Sequence, residues 1–400
     1  MIFDMVFEGG GAKGIVFVGA LQVFQEKGHT FDRLIGTSAG AITATTLAAG
    51  YSNEEMMAAL NERVNGRPIF TTFMGDPPPF DEEHIKQSAI RELLRSMDLP
   101  LVPDFVEDKL DDQLAKTIAT NPALRHVYSF IERGGWYSAH DFVAWLKRKL
   151  DEGMYRGRPR NFSEMTMAEM FAATETELTL TGSDTTSGRL LIFNHRTAPD
   201  LPLVWAVRMS MSVPLLWQEV IWQEEWGLYR GKSITGHAIV DGGLLSNFPI
   251  ELFISDEKPV TDVMGEKHSE NIIGFLIDET LEVAGAPALG GSSTLTALGS
   301  LRTVTRIGQL VNTVTQARDK MVIDTFSDLV VHLPAKGYGT TEFDMSDERR
   351  EALVVAGRAA AESYLSAPDG VMAAPKELDL EEMEHAAAEA NRIAFGILGE

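Results

Sequence analysis

The 400-residue chain contains no cysteine. Disulfides, thiolate nucleophiles and Cys-ligated zinc are therefore excluded. Positive charge is scarce: 35 Lys and Arg stand against 58 Asp and Glu, for a formal charge of −23. That balance argues against a nucleic-acid partner, because phosphate backbones are bound by clustered Lys and Arg. It argues equally against tight electrostatic docking on an anionic bilayer. Long apolar runs are missing too. The nearest approach, Leu201 to Trp222, is broken by Arg208, Pro214 and Glu219, short of the roughly 18 apolar residues a span requires. The first seven residues have no basic start and include Asp4, so they read as a strand and not as a signal segment. What is present, 44% apolar and 23% charged residues, is the composition of an ordinary globular enzyme. The expectation is a cytoplasmic protein whose membrane contacts are transient and peripheral. Its oligomeric state is not legible.

Local patterns predict alternating strands and helices. Met1–Phe7 and Phe31–Ile35 read as strands, and Ile15–Glu26 and Ala41–Ala49 as the helices that follow them. Such alternation with short links predicts a parallel sheet with right-handed crossovers. Residues 52–160 then turn polar and mostly helical, with helices expected over Asp81–Met97 and Ala139–Leu150, and read as an inserted cap. Strands resume at Glu175–Thr181, Leu190–Asn194, His237–Val240, Asn271–Ile277 and Leu329–Leu333, with Gly182–Gly188 as a turn and Val204–Met211 as a buried helix. Ala284–Ser300, rich in small residues, reads as a mobile loop. Helices are expected over Leu301–Ile323, Asp347–Tyr364 and Leu378–Ile397. The division is one catalytic domain over 1–365 and a helical extension over 366–400.

Two turns carry chemistry. Gly9, Gly11 and Gly14 satisfy G-x-G-x-x-G between a strand and a helix. Glycines there let amides converge on an anion at a positive helix end. The anion could be a dinucleotide pyrophosphate or the oxyanion of acyl transfer, and a plain tight turn is the third reading. The dinucleotide reading wants an acid at the end of the second strand; Asp32 sits at its start, and Gly36-Thr37-Ser38 occupy its end. Gly36-Thr37-Ser38-Ala39-Gly40 is G-x-S-x-G, again between strand and helix, which is the context of a nucleophile elbow. The competing reading is an N-cap serine. Only one strand and one helix precede Ser38, so the ordinary α/β-hydrolase order does not apply.

A serine nucleophile needs a base. No histidine follows a strand and precedes glycines. His332, near a strand end, is the best conventional candidate; His237 shares a strand face with Asp241 but lies back from the tip. Asp241-Gly242-Gly243 differs: it ends the buried run Ala238-Ile239-Val240, where open α/β sheets bind ligands. An Asp-Gly turn is the bland alternative.

Taken together and in this order, Gly9–Gly14, Gly36–Gly40 and Asp241–Gly243 resemble the glycine loop, serine elbow and D-G-[AG] of the patatin-like phospholipases. Ala206–Pro214 and Asn247-Phe248-Pro249 resemble the flanking segments of that family. The resemblance covers about residues 1–50 and 170–280, together with the strand at 329–333. It implies a three-layer α/β/α fold and lipid acyl hydrolysis by a Ser38–Asp241 dyad, without cofactor or metal. It further implies an oxyanion hole among Gly9, Gly10, Gly11 and Ala12, supported by Lys13, Gly14, Gly36, Gly40, Gly242 and Gly243. Lys13 could hold the loop or meet a phosphate headgroup. The partner would be a phospholipid or another acyl ester. An acyltransferase using the same acyl-enzyme, a dinucleotide-binding protein and an inactive lipid-binding module are the rival functions.

Overall fold

The computed structural model describes residues 1–96, 113–121, 124–267, 271–287, 323 and 325–366. Of the loop expected at Ala284–Ser300 all beyond residue 287, of the helix expected over Leu301–Ile323 all but Ile323, and of the extension over 366–400, with its helix at Leu378–Ile397, all but Ser366 lie outside these residues.

The chain opens with β1 (Ile2–Phe7), a 3₁₀ turn at Gly11–Ile15, α1 (Val16–Glu26), β2 (Thr30–Gly36), α2 (Ala39–Ala48) and α3 (Asn53–Leu60). After the insertion, which contains β3 (Gly135–Tyr137) and α4 (His140–Asp151), come β4 (Glu177–Asp184), β5 (Arg189–Phe193) and α5 (Leu203–Ser210). Then follow β6 (Leu215–Trp217), β7 (Val220–Ile221), β8 (Ala238–Asp241), β9 (Ile272–Glu282), β10 (Val330–Lys336) and α6 (Asp347–Ser366).

Eight strands form the central sheet, in the order β7-β8-β4-β2-β1-β9-β10, with β5 also on β4. The pairs from β4 through β10 along this path are parallel; β7, β8 and β5 run antiparallel to their neighbours. Alternation along β1 splits the core. Phe3, Met5 and Phe7 face the helices α1, α2 and α6, while Val6 faces Phe248, Phe253 and Val263 on the opposite side. The result is a three-layer α/β/α arrangement. Asp4 also points to the second face, where it accepts the Arg33 Nε at 2.9 Å inside the core.

The insertion is fastened to the main body by β3, which pairs in parallel with β6. The helix expected over Asp81–Met97 is two helices, Glu82–Lys86 and Ala89–Ser96. Ser88 divides them: its hydroxyl donates back to the Ile85 carbonyl and accepts the Arg91 amide, the bonding of a helix cap. The turn expected at Gly182–Gly188 is shorter, because β4 continues through Gly182 to Asp184, whose carboxylate then caps the amides of Thr186 and Ser187. Among the described residues no helix is long and apolar enough to cross a membrane.

Candidate active site

Ser38 sits at the junction of β2 and α2 with φ 53° and ψ −117°. A non-glycine residue there is strained by about 1–3 kcal/mol and persists only when its surroundings impose it. They do so by close backbone approach. A Cβ on Gly40 would lie 2.2 Å from the Phe7 carbonyl oxygen, and one on Gly36 2.3 Å from the Gly40 carbonyl oxygen. The turn therefore closes only with glycine at both flanks. Ser38 occupies the N-cap position of α2, yet its side chain caps nothing. The hydroxyl is left for other work.

The register explains how Asp241 reaches it. Along one side of β4, Leu180 pairs with Gly36 of β2 and, two residues on, Gly182 pairs with Asp241 of β8. β5 fills the other side over both positions. So β2 and β8 meet tip to tip along the same edge of β4, about 7 Å apart by strand rise. β8 arrives antiparallel, not as one more parallel strand of the sheet. Thr181 marks the meeting point: its hydroxyl lies 2.8 Å from that of Thr37, and a Cβ on Gly242 would strike it at 2.1 Å.

Asp241 is buried. One carboxylate oxygen accepts the Gly243 amide at 2.8 Å, and the other is buried with no hydrogen-bond partner among the described residues. Burial pushes its pKa up to about 7, against opposing contributions from the nearby Ser38 hydroxyl and the Gly243 amide. Ser38 is thus close enough to be felt by the carboxyl, while the hydrogen bond between them is not closed. Catalytic contacts often tighten only with substrate bound.

The glycine loop offers fewer donors than its four amides. Gly9 donates to the Asn247 carbonyl at 3.3 Å and Ala12 to the Thr340 carbonyl at 2.8 Å. Among the described residues the amides of Gly10 and Gly11 have no acceptor, and nor has that of Ala39 beside the serine. Gly11 needs its glycine, with φ 56° and the Thr340 carbonyl 2.2 Å from where a Cβ would be. Gly14 packs on Ala39, and Gly243 against Asn247. Lys13 is buried and ion-paired with Glu279 on β9, so it holds the loop to the sheet. Neither histidine candidate touches Ser38: His237 Nδ1 pairs with Asp184 at 2.8 Å and His332 Nδ1 with Asp278 at 2.9 Å.

Four supporting residues carry no local sequence signal for their roles. The Ser38 amide donates to the Ser210 hydroxyl at 3.0 Å, and the Asp241 amide to the Ser212 carbonyl at 2.9 Å. The last residue of α5 and the turn after it therefore hold both chemical groups. Arg208 stiffens that turn by bonding the Ser212 hydroxyl and the Gln218 carbonyl; its burial lowers its pKa to about 9. Asn247 donates to Glu8 at 3.0 Å and to the Gly9 carbonyl at 2.9 Å, which ties the Asp241 loop to the glycine loop. Arg208, Ser210, Ser212 and Asn247 all fall within the two flanking segments noted in the sequence, but only the fold assigns them partners.

An apolar cavity is lined by Gly11, Ala12, Ser38 and Ala39 together with residues of α2, α3 and the insertion. Such an apolar lining beside a few polar groups suits an acyl ligand. Among the described residues no group of three or more His, Asp or Glu is placed to hold a metal ion.

Residues 5–254 match the family model described as patatin-like phospholipase. Over 383 residues the chain is 27% identical to the uncharacterized protein YqhO of Bacillus subtilis, covering 91% of this chain and 98% of that one. Over 86 residues it is 39% identical to an uncharacterized NTE family protein of Mycobacterium tuberculosis, 22% of this chain and 13% of that one. Among solved structures, VipD from Legionella pneumophila aligns with a TM-score of 0.43 at 17% identity, covering 98% of this chain and 74% of that one. With its family model spanning well over half of its length, the chain belongs to the patatin-like phospholipases.

Proposed function

We propose that the protein hydrolyses fatty-acyl esters of lipids, with Ser38 as nucleophile and Asp241 as its only base. Asp241 takes the Ser38 proton as Oγ attacks the ester carbonyl. The oxyanion that forms faces the amides of Gly10 and Gly11, and Ala39 adds a third donor. Asp241 then returns the proton to the departing alkoxide as the ester C–O bond breaks, leaving acyl-Ser38. Water, deprotonated by Asp241, releases the fatty acid and restores Ser38.

The observation that carries this reading is the state of Asp241. A buried carboxyl with one unpartnered oxygen and a pKa raised to about 7 is a far better base than a solvated aspartate. It lies beside an uncapped serine at the head of an apolar cavity. Acyl hydrolysis is expected to vanish in Ser38→Ala and in Asp241→Asn, measured as free fatty acid released from a lysophospholipid. Asp241→Asn retaining more than a tenth of wild-type turnover would end the proposal. Capture of the acyl group by added alcohol, in preference to water, would favour a transferase instead.

A further inference from the structure

The cavity at Ser38 has a direction. One of its walls is a stripe of α2, formed by Ala39, Ile42, Thr43 and Thr46 at helical spacing. The two threonines do not make that wall polar. Thr43 donates to the Ala39 carbonyl at 3.2 Å, and Thr46 to the carbonyls of Ile42 and Thr43 at 3.0 and 2.9 Å. The cavity leaves the serine and follows this stripe away from the sheet edge. Beyond the stripe the lining continues through Tyr51, Met56 and Trp145, all buried, and Tyr51 is fixed by its hydroxyl donating to the Lys149 carbonyl at 2.5 Å. From Ala39 to Thr46 the helix rises about 10 Å, room for an extended chain of about eight to ten carbons.

We propose that this cavity takes a single medium-chain acyl group, carbonyl end at Ser38 and methyl end at Met56, and that Thr46 and Met56 set the chain length the enzyme accepts. The remainder of the substrate, headgroup and any second chain, stays outside. The proposal rests on the hydrolase reading above. Each methylene that enters contributes roughly fourfold to binding, and methylenes beyond the blind end contribute nothing or clash.

The test is kcat/KM for p-nitrophenyl esters from butyrate to palmitate. For the wild type it is expected to climb to octanoate or decanoate and then fall. Thr46→Phe, which obstructs the channel at the far end of the α2 stripe, is expected to lower the decanoate-to-butyrate ratio at least tenfold. Met56→Ala, which deepens the blind end, is expected to move the optimum to longer chains, and it carries the test if Thr46→Phe does not fold. A wild type that prefers palmitate, or a folded Thr46→Phe with an unchanged ratio, overturns the proposal. If the wild type cleaves no ester at all, the hydrolase reading has failed by itself. Calorimetric titration with decanoate then decides the cavity: binding lost in Thr46→Phe supports it, while no binding, or binding equal in both proteins, overturns it.

Discussion

Burial holds the Asp241 carboxyl near neutrality, and that has consequences for stability as well as for catalysis. The folded protein binds this proton more tightly than the unfolded chain, with a pKa raised from 3.8 to about 7. Because the shift is upward in an acid, the stabilising contribution is complete at low pH. It is lost as pH rises from about 4 to about 7, and above that the buried charge is a standing cost of up to about 4 kcal/mol. Asp241→Asn is therefore expected to melt at higher temperature than wild type at pH 8, with the difference shrinking toward pH 4. An equal difference at both pH values would show that the carboxyl is not desolvated. The same titration is expected in the pH profile of kcat/KM, rising through a limb near pH 7 that survives in His237→Ala and His332→Ala. Loss of that limb in either histidine variant would identify a different base. Asn247 ties the Asp241 loop to the glycine loop, so under the proposed mechanism Asn247→Ala is expected to lower kcat by about a hundredfold, the typical effect of a misplaced oxyanion donor. Rescue by Asn247→Gln is not expected, since the longer side chain cannot hold both Glu8 and the Gly9 carbonyl in place.

Strands and helices near the site were legible because their signals are local. The short apolar runs at Met1–Phe7 and Ala238–Val240 and the glycine turns that end them are written in adjacent residues. The antiparallel arrival of β8 was not legible, because strand direction follows from the route of 50 intervening residues and not from the four in the strand. Nor was it legible that two of the glycine loop's four amides are already bonded. The carbonyls that occupy Gly9 and Ala12 belong to Asn247 and Thr340, hundreds of positions away. The packing of α1 on α6 was hidden in the same way. A Cβ on Gly19 would lie 1.8 Å from the Val354 carbonyl oxygen, and one on Gly357 2.1 Å from that of Val16. These two glycines let the helix backbones touch, although each reads in sequence as an ordinary mid-helix weak point. Gly357→Ala, favourable for an isolated helix, is instead expected to destabilise the protein by about 2 kcal/mol or more through overpacking. Urea denaturation checks this, and a neutral or stabilising result would mean that the two helices are not so closely packed.

For the molecule as a whole, the charge of −23 sets the terms on which it can meet lipid. Attraction to a bilayer has to come from apolar contact, since an anionic surface repels it. Hydrolysis of a medium-chain ester carried in vesicles is expected to be slower on anionic than on zwitterionic lipid at low salt. The gap is expected to narrow near 1 M salt, where the screening length falls to about 3 Å. Faster turnover on anionic vesicles at low salt would point to a basic docking patch that the total charge conceals. The division of labour between one serine and one aspartate is tested most directly by a fluorophosphonate probe followed by mass mapping of the labelled peptide. The adduct is expected on Ser38 in the wild type and in both histidine variants, and is expected to be lost in Asp241→Asn. An adduct on any other residue, or labelling of Asp241→Asn at the wild-type rate, would contradict the mechanism.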